Sequence, residues 1–142
     1  MAQLPEVVAD ASVVCKWFVE ESGTEAALRM RDAHTEGAIR ILAPDLMPYE
    51  VANALLHHPA MSAERLRRAT RALFDLQISL ARPSAADLGQ AAEFAFRKRL
   101  TIYDACYAVL AERHSCSLVT DDNRLLGAST RAVPLSKWSP PP

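Results

Sequence analysis

Val7-Val8-Ala9-Asp10-Ala11-Ser12-Val13-Val14-Cys15-Lys16-Trp17-Phe18 begins as a short apolar run, meets a single acid, and continues apolar at helical spacing. A β-branched run of this length reads as a buried strand, here Val7 to Ala9, ending at Asp10. Ala11 to Glu20 reads as the helix that follows. The same alternation continues down the chain. Thr24 to Glu36 is helical in pattern and closed by Gly37, and Ile39 to Ala43 is a second strand. Asp45 is placed to cap a helix that tolerates Pro48 in its first turn and stops near His58, ahead of Pro59. Ser62 caps the next helix, with Leu66, Ala69, Leu73 and Leu76 on one stripe, and Ile78 to Ala81 is a short strand. Ser84 and Asp87 form a capping-box variant opening a helix with Leu88, Ala92, Ala95 and Phe96 on one face. Thr101 to His114 is helical, Ser117 to Thr120 extended, Asn123 to Leu126 a helical turn, and Ala132 to Leu135 an edge strand. Strands alternating with helices predict an α/β fold around a parallel sheet.

The chain has 142 residues, which predicts a single domain over residues 1–138 and a flexible Pro-rich tail over 139–142. Half of the residues are hydrophobic, 23% are charged and the mean hydropathy is -0.02, so a packed core is expected and disorder excluded. Lys and Arg number 16 against 17 Asp and Glu. A net charge of -1 excludes a strongly basic nucleic-acid coat but leaves local basic patches open. The first residues show no secretory signal pattern, and no apolar run approaches the ~20 residues that cross a bilayer. Cys15, Cys106 and Cys116 form no CxxC pair and sit in apolar stretches, as core residues of a reduced, cytoplasmic protein do. The four histidines lack metal-binding spacing.

The chemistry lies in the acids. Asp10 follows the first strand, and Asp121-Asp122 follows the strand that ends at Thr120. Open parallel sheets bind ligands beyond the carboxyl ends of their strands, where strand order reverses. If those two strands are neighbours, their acids converge. Glu50 and Asp104 lie near the starts of helices that could aim them into the same crevice. Each acid also has a purely structural reading. Asp104 could complete a capping box, Glu50 could favour a helix dipole, and Asp10 and Asp122 could cap the helices after them. Four carboxylates in one crevice repel one another unless protonated or neutralised by a cation. A donor set without nitrogen or sulfur suits Mg²⁺ or Mn²⁺, which support phosphate-ester hydrolysis. There is no GxSxG, HExxH, P-loop or GxGxxG, and with only four glycines a phosphate cradle of backbone amides is not expected.

These stretches carry a family resemblance. The segment from Val8 to Phe18 resembles the opening motif of PIN-domain proteins, particularly the VapC-type toxins of bacteria and archaea. Ala43-Pro44-Asp45-Leu46-Met47-Pro48-Tyr49-Glu50-Val51-Ala52-Asn53-Ala54-Leu55 resembles their second motif, Thr101-Ile102-Tyr103-Asp104-Ala105-Cys106-Tyr107-Ala108 the third, and Leu118-Val119-Thr120-Asp121-Asp122-Asn123-Arg124-Leu125 the fourth. They occur in the family's order and span nearly the whole chain. The resemblance implies a three-layer α/β/α fold with a roughly five-stranded parallel sheet and a metal-dependent ribonuclease site at its edge. Catalytic and metal-binding acids would be Asp10, Glu50, Asp104 and Asp122, the last selected by a Thr-x-Asp register, with Asp121 as neighbour or substitute. Ser12 and Thr120 would be hydroxyls lining the site. It further implies an Mg²⁺- or Mn²⁺-dependent endoribonuclease, the toxin of a toxin–antitoxin pair, homodimeric and inhibited by a cognate antitoxin. The short segment from Leu56 to Ser62, containing Pro59, departs from the family's pattern.

Two other readings use the same acids. A PIN-like RNA-binding or scaffold module without catalysis is opposed by retention of all four. A phosphoacceptor signalling domain wants its acidic pair near the first strand, whereas here the pair comes late. A haloacid-dehalogenase-like phosphatase wants Asp where this chain has Ser12. Arg65, Arg67, Arg68 and Arg71 could contact phosphates along RNA, as could Arg97-Lys98-Arg99, but a solvated helix face accounts for the first group. The stripe at Leu66, Ala69, Leu73 and Leu76, like Trp17 and Phe18, reads as packing rather than as a binding surface.

Overall fold

Val7, Val8 and Ala9 are consecutive and all buried. Successive strand side chains point to opposite faces, so their strand must be covered on both. The computed structural model, which describes residues 3–142, shows why. Strands β1 (Glu6–Ala9), β2 (Arg40–Pro44), β3 (Ser79–Ala81), β4 (Ser117–Val119) and β5 (Ala132–Val133) form one parallel sheet in the order β3-β2-β1-β4-β5. Val7 pairs with Ile41 on one side and Ser117 on the other, which puts β1 at the centre. Helices α1 (Ala11–Cys15), α2 (Thr24–Thr35), α3 (Met47–Leu56), α4 (Ala63–Asp75), α5 (Ala85–Lys98), α6 (Ile102–Arg113) and α7 (Asn123–Ala128) flank the sheet. The chain builds outward from β1 through β2 to β3, then returns to the other side of β1 for β4 and β5. Strand order therefore reverses between β1 and β4. The predicted α/β architecture and its five-stranded parallel sheet are both present.

Several boundaries differ from the sequence expectation. The first helix was expected to reach Glu20 but is five residues long. Lys16, Trp17 and Phe18 donate their amides to Val13, Val14 and Cys15, an i−3 pattern that tightens the last turn and ends the helix. That turn buries Trp17, whose indole N–H donates to Ala27 O at 2.8 Å, and packs Phe18 against the core. Asp45 does not cap the next helix. Its cap position is Leu46, without a side-chain bond, and Asp45 is exposed with its amide donating to Ala81 O. Pro48 fits the first turn because the first helical amides have no partner to lose. The last strand stops at Val133 because Pro134 has no N–H to continue the ladder, and Leu135 opens a buried 3₁₀ turn instead.

The helix opened by Ser84 has its full capping box, but its buried face is rotated from the expected one. Ala91 and Ala95, with Phe94, pack against Ala105 of α6, leaving Leu88 and Phe96 exposed. Small residues let the two helices approach closely, and that contact overrides the larger apolar stripe. Gly37 follows α2 at φ +78°, a left-handed position that glycine occupies without steric cost. The α4 stripe packs inward through Ala69 and Leu73, while Arg65, Arg67, Arg68 and Arg71 face solvent. The three cysteines are free thiols, Cys15 buried and the others half-buried, and burial pushes the Cys15 thiol up to about 12. Among the described residues no helix is long and apolar enough to cross a membrane.

Candidate active site

Asp10 lies one residue past β1, and its amide still donates to Val119 O at 3.1 Å. That bond ties it to β4 at the point where strand order reverses. The carboxylate is 6% exposed, and Oδ2 accepts hydrogen bonds from Ser12 Oγ at 3.0 Å and Thr120 Oγ1 at 2.5 Å. Burial raises its proton affinity above the ordinary aspartate value, and the nearby charge of Asp104 adds to this, while the two hydroxyls oppose it. Each hydroxyl gives its proton to Asp10 and so has lone pairs left to accept. Thr120 Oγ1 takes the Asp122 amide at 3.0 Å, and Ser12 Oγ takes the Asp121 amide at 3.5 Å. The two hydroxyls therefore lock the β4–α7 turn onto Asp10.

The paired aspartates point to different tasks. Asp121 Oδ1 accepts the Leu135 amide at 3.2 Å, and its Oδ2 lies 3.9 Å from Lys16 Nζ. Asp122 caps α7, Oδ1 accepting from the amides of Arg124 at 2.8 Å and Leu125 at 3.3 Å. It also stands near enough to Asp104 for its charge to raise that residue's proton affinity. The structural reading of Asp122 as a cap is thus correct, and it coexists with membership of the acid cluster.

Glu50 lies in the first turn of α3 and Asp104 in the first turn of α6. Both are half-buried, and the proton affinity of each is raised, first by loss of solvent. For Glu50 the further causes are Asp10 and Asp104. Asp104 is thus the common neighbour, its charge acting on Asp10 and Glu50 while Asp122 acts on it. Thr101 caps α6 by accepting the Asp104 amide at 3.0 Å, which fixes where the first turn begins.

Two neighbours had no role assigned from sequence. Tyr107, fully buried on α6, donates its hydroxyl to Glu50 Oε1 at 2.7 Å and steadies that carboxylate from a different helix. The signal was its position three residues after Asp104, on the same side of the helix. Arg124 Nε lies 3.8 Å from Asp122 Oδ1, and the guanidinium's charge also lowers the proton affinity of Asp104. It follows the Thr-Asp-Asp run by one residue.

Among the described residues no three Asp, Glu, His or Cys side chains are set to enclose a metal ion on their own. The donor set nevertheless fits Mg²⁺, which keeps several waters and takes one or two carboxylates rather than a full protein cage. Burial is the chief cause of the raised proton affinity in Asp10, Glu50 and Asp104, and neighbouring acids add to it in each, a lesser repulsion that a divalent cation would relieve.

The family model of the PIN domain matches residues 7–129. A protein named Ribonuclease VapC3, from Pyrobaculum aerophilum, is 32% identical over 124 residues, spanning 84% of this chain and 92% of that protein. The crystal structure of PAE2754 from Pyrobaculum aerophilum superposes with a TM-score of 0.68 at 27% identity, covering 96% of this chain and 93% of that one. The crystal structure of FitAcB from Neisseria gonorrhoeae shares the fold at a TM-score of 0.64 and 15% identity, over 93% of this chain and 99% of that one.

Proposed function

The chain belongs to the PIN-domain family, and from that premise we propose that it is a divalent-metal-dependent endoribonuclease, the toxin of a toxin–antitoxin pair. One observation carries the reading. Asp10, Glu50 and Asp104 each have a raised proton affinity to which a neighbouring acid contributes, and with Asp122 beside Asp104 this supports an acid crevice at the strand-order reversal, where this sheet topology binds ligands. A fold held together by its core has no need of such a cluster. The name of the 32%-identical relative, Ribonuclease VapC3, supports the same chemistry.

Asp10, Glu50, Asp104 and Asp122 are the residues that would hold Mg²⁺ or Mn²⁺. When bound, such an ion activates water and steadies charge on the phosphate oxygens. The rest belongs to the chain. Ser12 and Thr120 fix the Asp10 carboxylate by hydrogen bonds and oppose the rise in its proton affinity that burial causes. Tyr107 does the same for Glu50. Arg124, largely exposed beside Asp122, is the cation placed to meet a phosphate entering the crevice. Asp121, engaged with Leu135 and Lys16, shapes the turn rather than joining the crevice. The same carboxylates would attract an arginine from an inhibitory antitoxin segment, since a guanidinium pairs with carboxylates in a bidentate way. A homodimer and a cytoplasmic location complete the proposal.

The test is cleavage of single-stranded RNA by purified protein. Activity should require Mg²⁺ or Mn²⁺, stop on chelation, and be lost in Asp10→Asn and Asp104→Asn while both variants remain folded. Full cleavage in excess EDTA, or full activity in both variants, would refute it. RNA binding without any cleavage would assign a non-catalytic module instead.

A further inference from the structure

Two groups of three exposed cations make no ion pair among the described residues. Arg67, Arg68 and Arg71 lie on the solvent face of α4, and Arg97, Lys98 and Arg99 end α5. The second group is tied to the crevice. Arg113, in the last turn of α6, pairs with Asp87 in the first turn of α5, so the two helices run antiparallel. The end of α5 therefore meets the start of α6, which carries Asp104 in its first turn. Only five residues of chain lead from Arg99 to Asp104, a stretch that spans at most about 18 Å.

Local structure has a use for part of this charge. Cations in the last turn of a helix are favoured by its terminal carbonyls, and Arg97 also rests over the Phe94 ring at 5.8 Å. Arg99 is different. It follows α5 at φ +58°, a left-handed position that favours glycine, and the Leu100 amide closes the turn onto Ala95 O at 3.0 Å. A helix stop alone is served by glycine, as Gly37 serves after α2. At Arg99 the chain instead keeps a charged side chain that finds no acid in the fold.

An acid crevice repels the phosphates that approach it, and contacts from Arg and Lys to backbone phosphates supply most of the affinity in nucleic-acid binding. We propose that Arg97, Lys98 and Arg99 hold the phosphate backbone of the RNA beside the crevice, as substrate-positioning residues. The proposal rests on the nuclease reading above and deepens it by assigning the residues that hold the substrate.

Binding of one unstructured fluorescein-labelled oligoribonucleotide is read by anisotropy in EDTA across a KCl series, and cleavage by initial rates with Mg²⁺ or Mn²⁺. Each phosphate contact on a single strand contributes about −0.7 to the slope of log K against log salt. Arg97→Gln, Lys98→Gln and Arg99→Gln should each flatten the slope by about 0.7, and the triple variant by about 2. KM should rise while kcat changes little, because none of the three is a crevice acid. Combined Arg67→Gln, Arg68→Gln and Arg71→Gln removes the same charge from α4 and should leave the slope near that of wild type. Arg99→Gly should melt at or above wild type while losing its share of the slope, a combination that a structural arginine would not give.

Unchanged slope and KM in the triple variant at the end of α5 would overturn the proposal and leave the nuclease reading intact. Equal flattening by the α4 variant would also overturn it, because net charge rather than place would then set affinity. Arg99→Gly melting below wild type with an unaltered slope would make Arg99 a helix stop and remove it from the contact. Slope changes as expected, with no cleavage even by wild type, would refute the nuclease reading and keep the phosphate contact.

Discussion

Asp10, Glu50 and Asp104 hold their protons to higher pH in the folded protein than in the unfolded chain, each chiefly because folding removes solvent from it. Between the ordinary carboxylate values, near about 4, and the raised folded values, the native state binds more protons than the unfolded state. Stability from these groups is therefore present at the acid end of that window and lost as pH rises through the folded values. Asp87 runs the other way, its proton affinity lowered by its capping bond to Ser84. A variant that removes one crevice acid isolates the first effect. Metal-free Asp104→Asn should melt above wild type at pH 7, with the gap narrowing as pH falls through the raised folded value. If Asp104 served only its helix start, the variant would instead cost up to about 1 kcal/mol. Melting curves across pH decide between the signs. Tyr107→Phe addresses Glu50 in the same way. Its hydroxyl lowers the proton affinity of Glu50, so removing it should move the acid limb of the pH–activity profile to higher pH. The lost hydrogen bond should cost about 0.5–1.5 kcal/mol of stability. An unmoved acid limb would mean that Tyr107 has only a packing role.

The turn between β4 and α7 shows how one side chain joins two elements. Thr120 is fully buried, gives its proton to Asp10, and accepts the Asp122 amide. Thr120→Val keeps the shape and removes both bonds, leaving a buried carboxylate less satisfied and an amide without its acceptor. It should destabilise the protein by about 1–3 kcal/mol and reduce cleavage, whereas Thr120→Ser should restore most of both. Equal loss in the serine variant would point to the methyl group rather than the hydroxyl. Much of this element-level arrangement could be read from sequence. Strand ends are local events, so Asp10 after Val7-Val8-Ala9 and Asp121-Asp122 after Thr120 were placed correctly from neighbouring residues alone. What could not be read depends on contacts distant in sequence. The hydrogen bond from Tyr107 to Glu50 spans 57 positions and requires knowing that the first turns of α3 and α6 come to the same end of the sheet. The contacts of Asp121 with Leu135 and Lys16 likewise come from residues that a local reading of the pair does not contain. The rotation of α5 onto Ala91 and Ala95 follows from close packing on α6, which the larger Leu88 and Phe96 concealed.

At the scale of the whole molecule, the sheet order decides what the acids can do. With β1 and β4 adjacent, Asp10 and Asp122 meet at one edge, and helices returning to that edge add Glu50 and Asp104. The buried strands fix the positions of these carboxylates before any ligand arrives, so their repulsion is built into the fold. A cation that binds the folded state alone relieves the repulsion and stabilises the molecule by mass action, by about 2.7 kcal/mol at a hundredfold excess over its Kd. Mg²⁺ or Mn²⁺ should therefore raise the Tm of wild type progressively with concentration. The same titration should move Asp10→Asn and Asp104→Asn much less, although Asp104→Asn begins from the higher metal-free Tm at pH 7. Asp121→Asn should respond as wild type does, since its carboxylate is engaged with Leu135 and Lys16. Asp122→Asn should lose the response, separating the adjacent aspartates by a measurement that needs no RNA. Equal metal responses in all five proteins would show that the ion binds elsewhere and would remove the basis for assigning metal to the crevice.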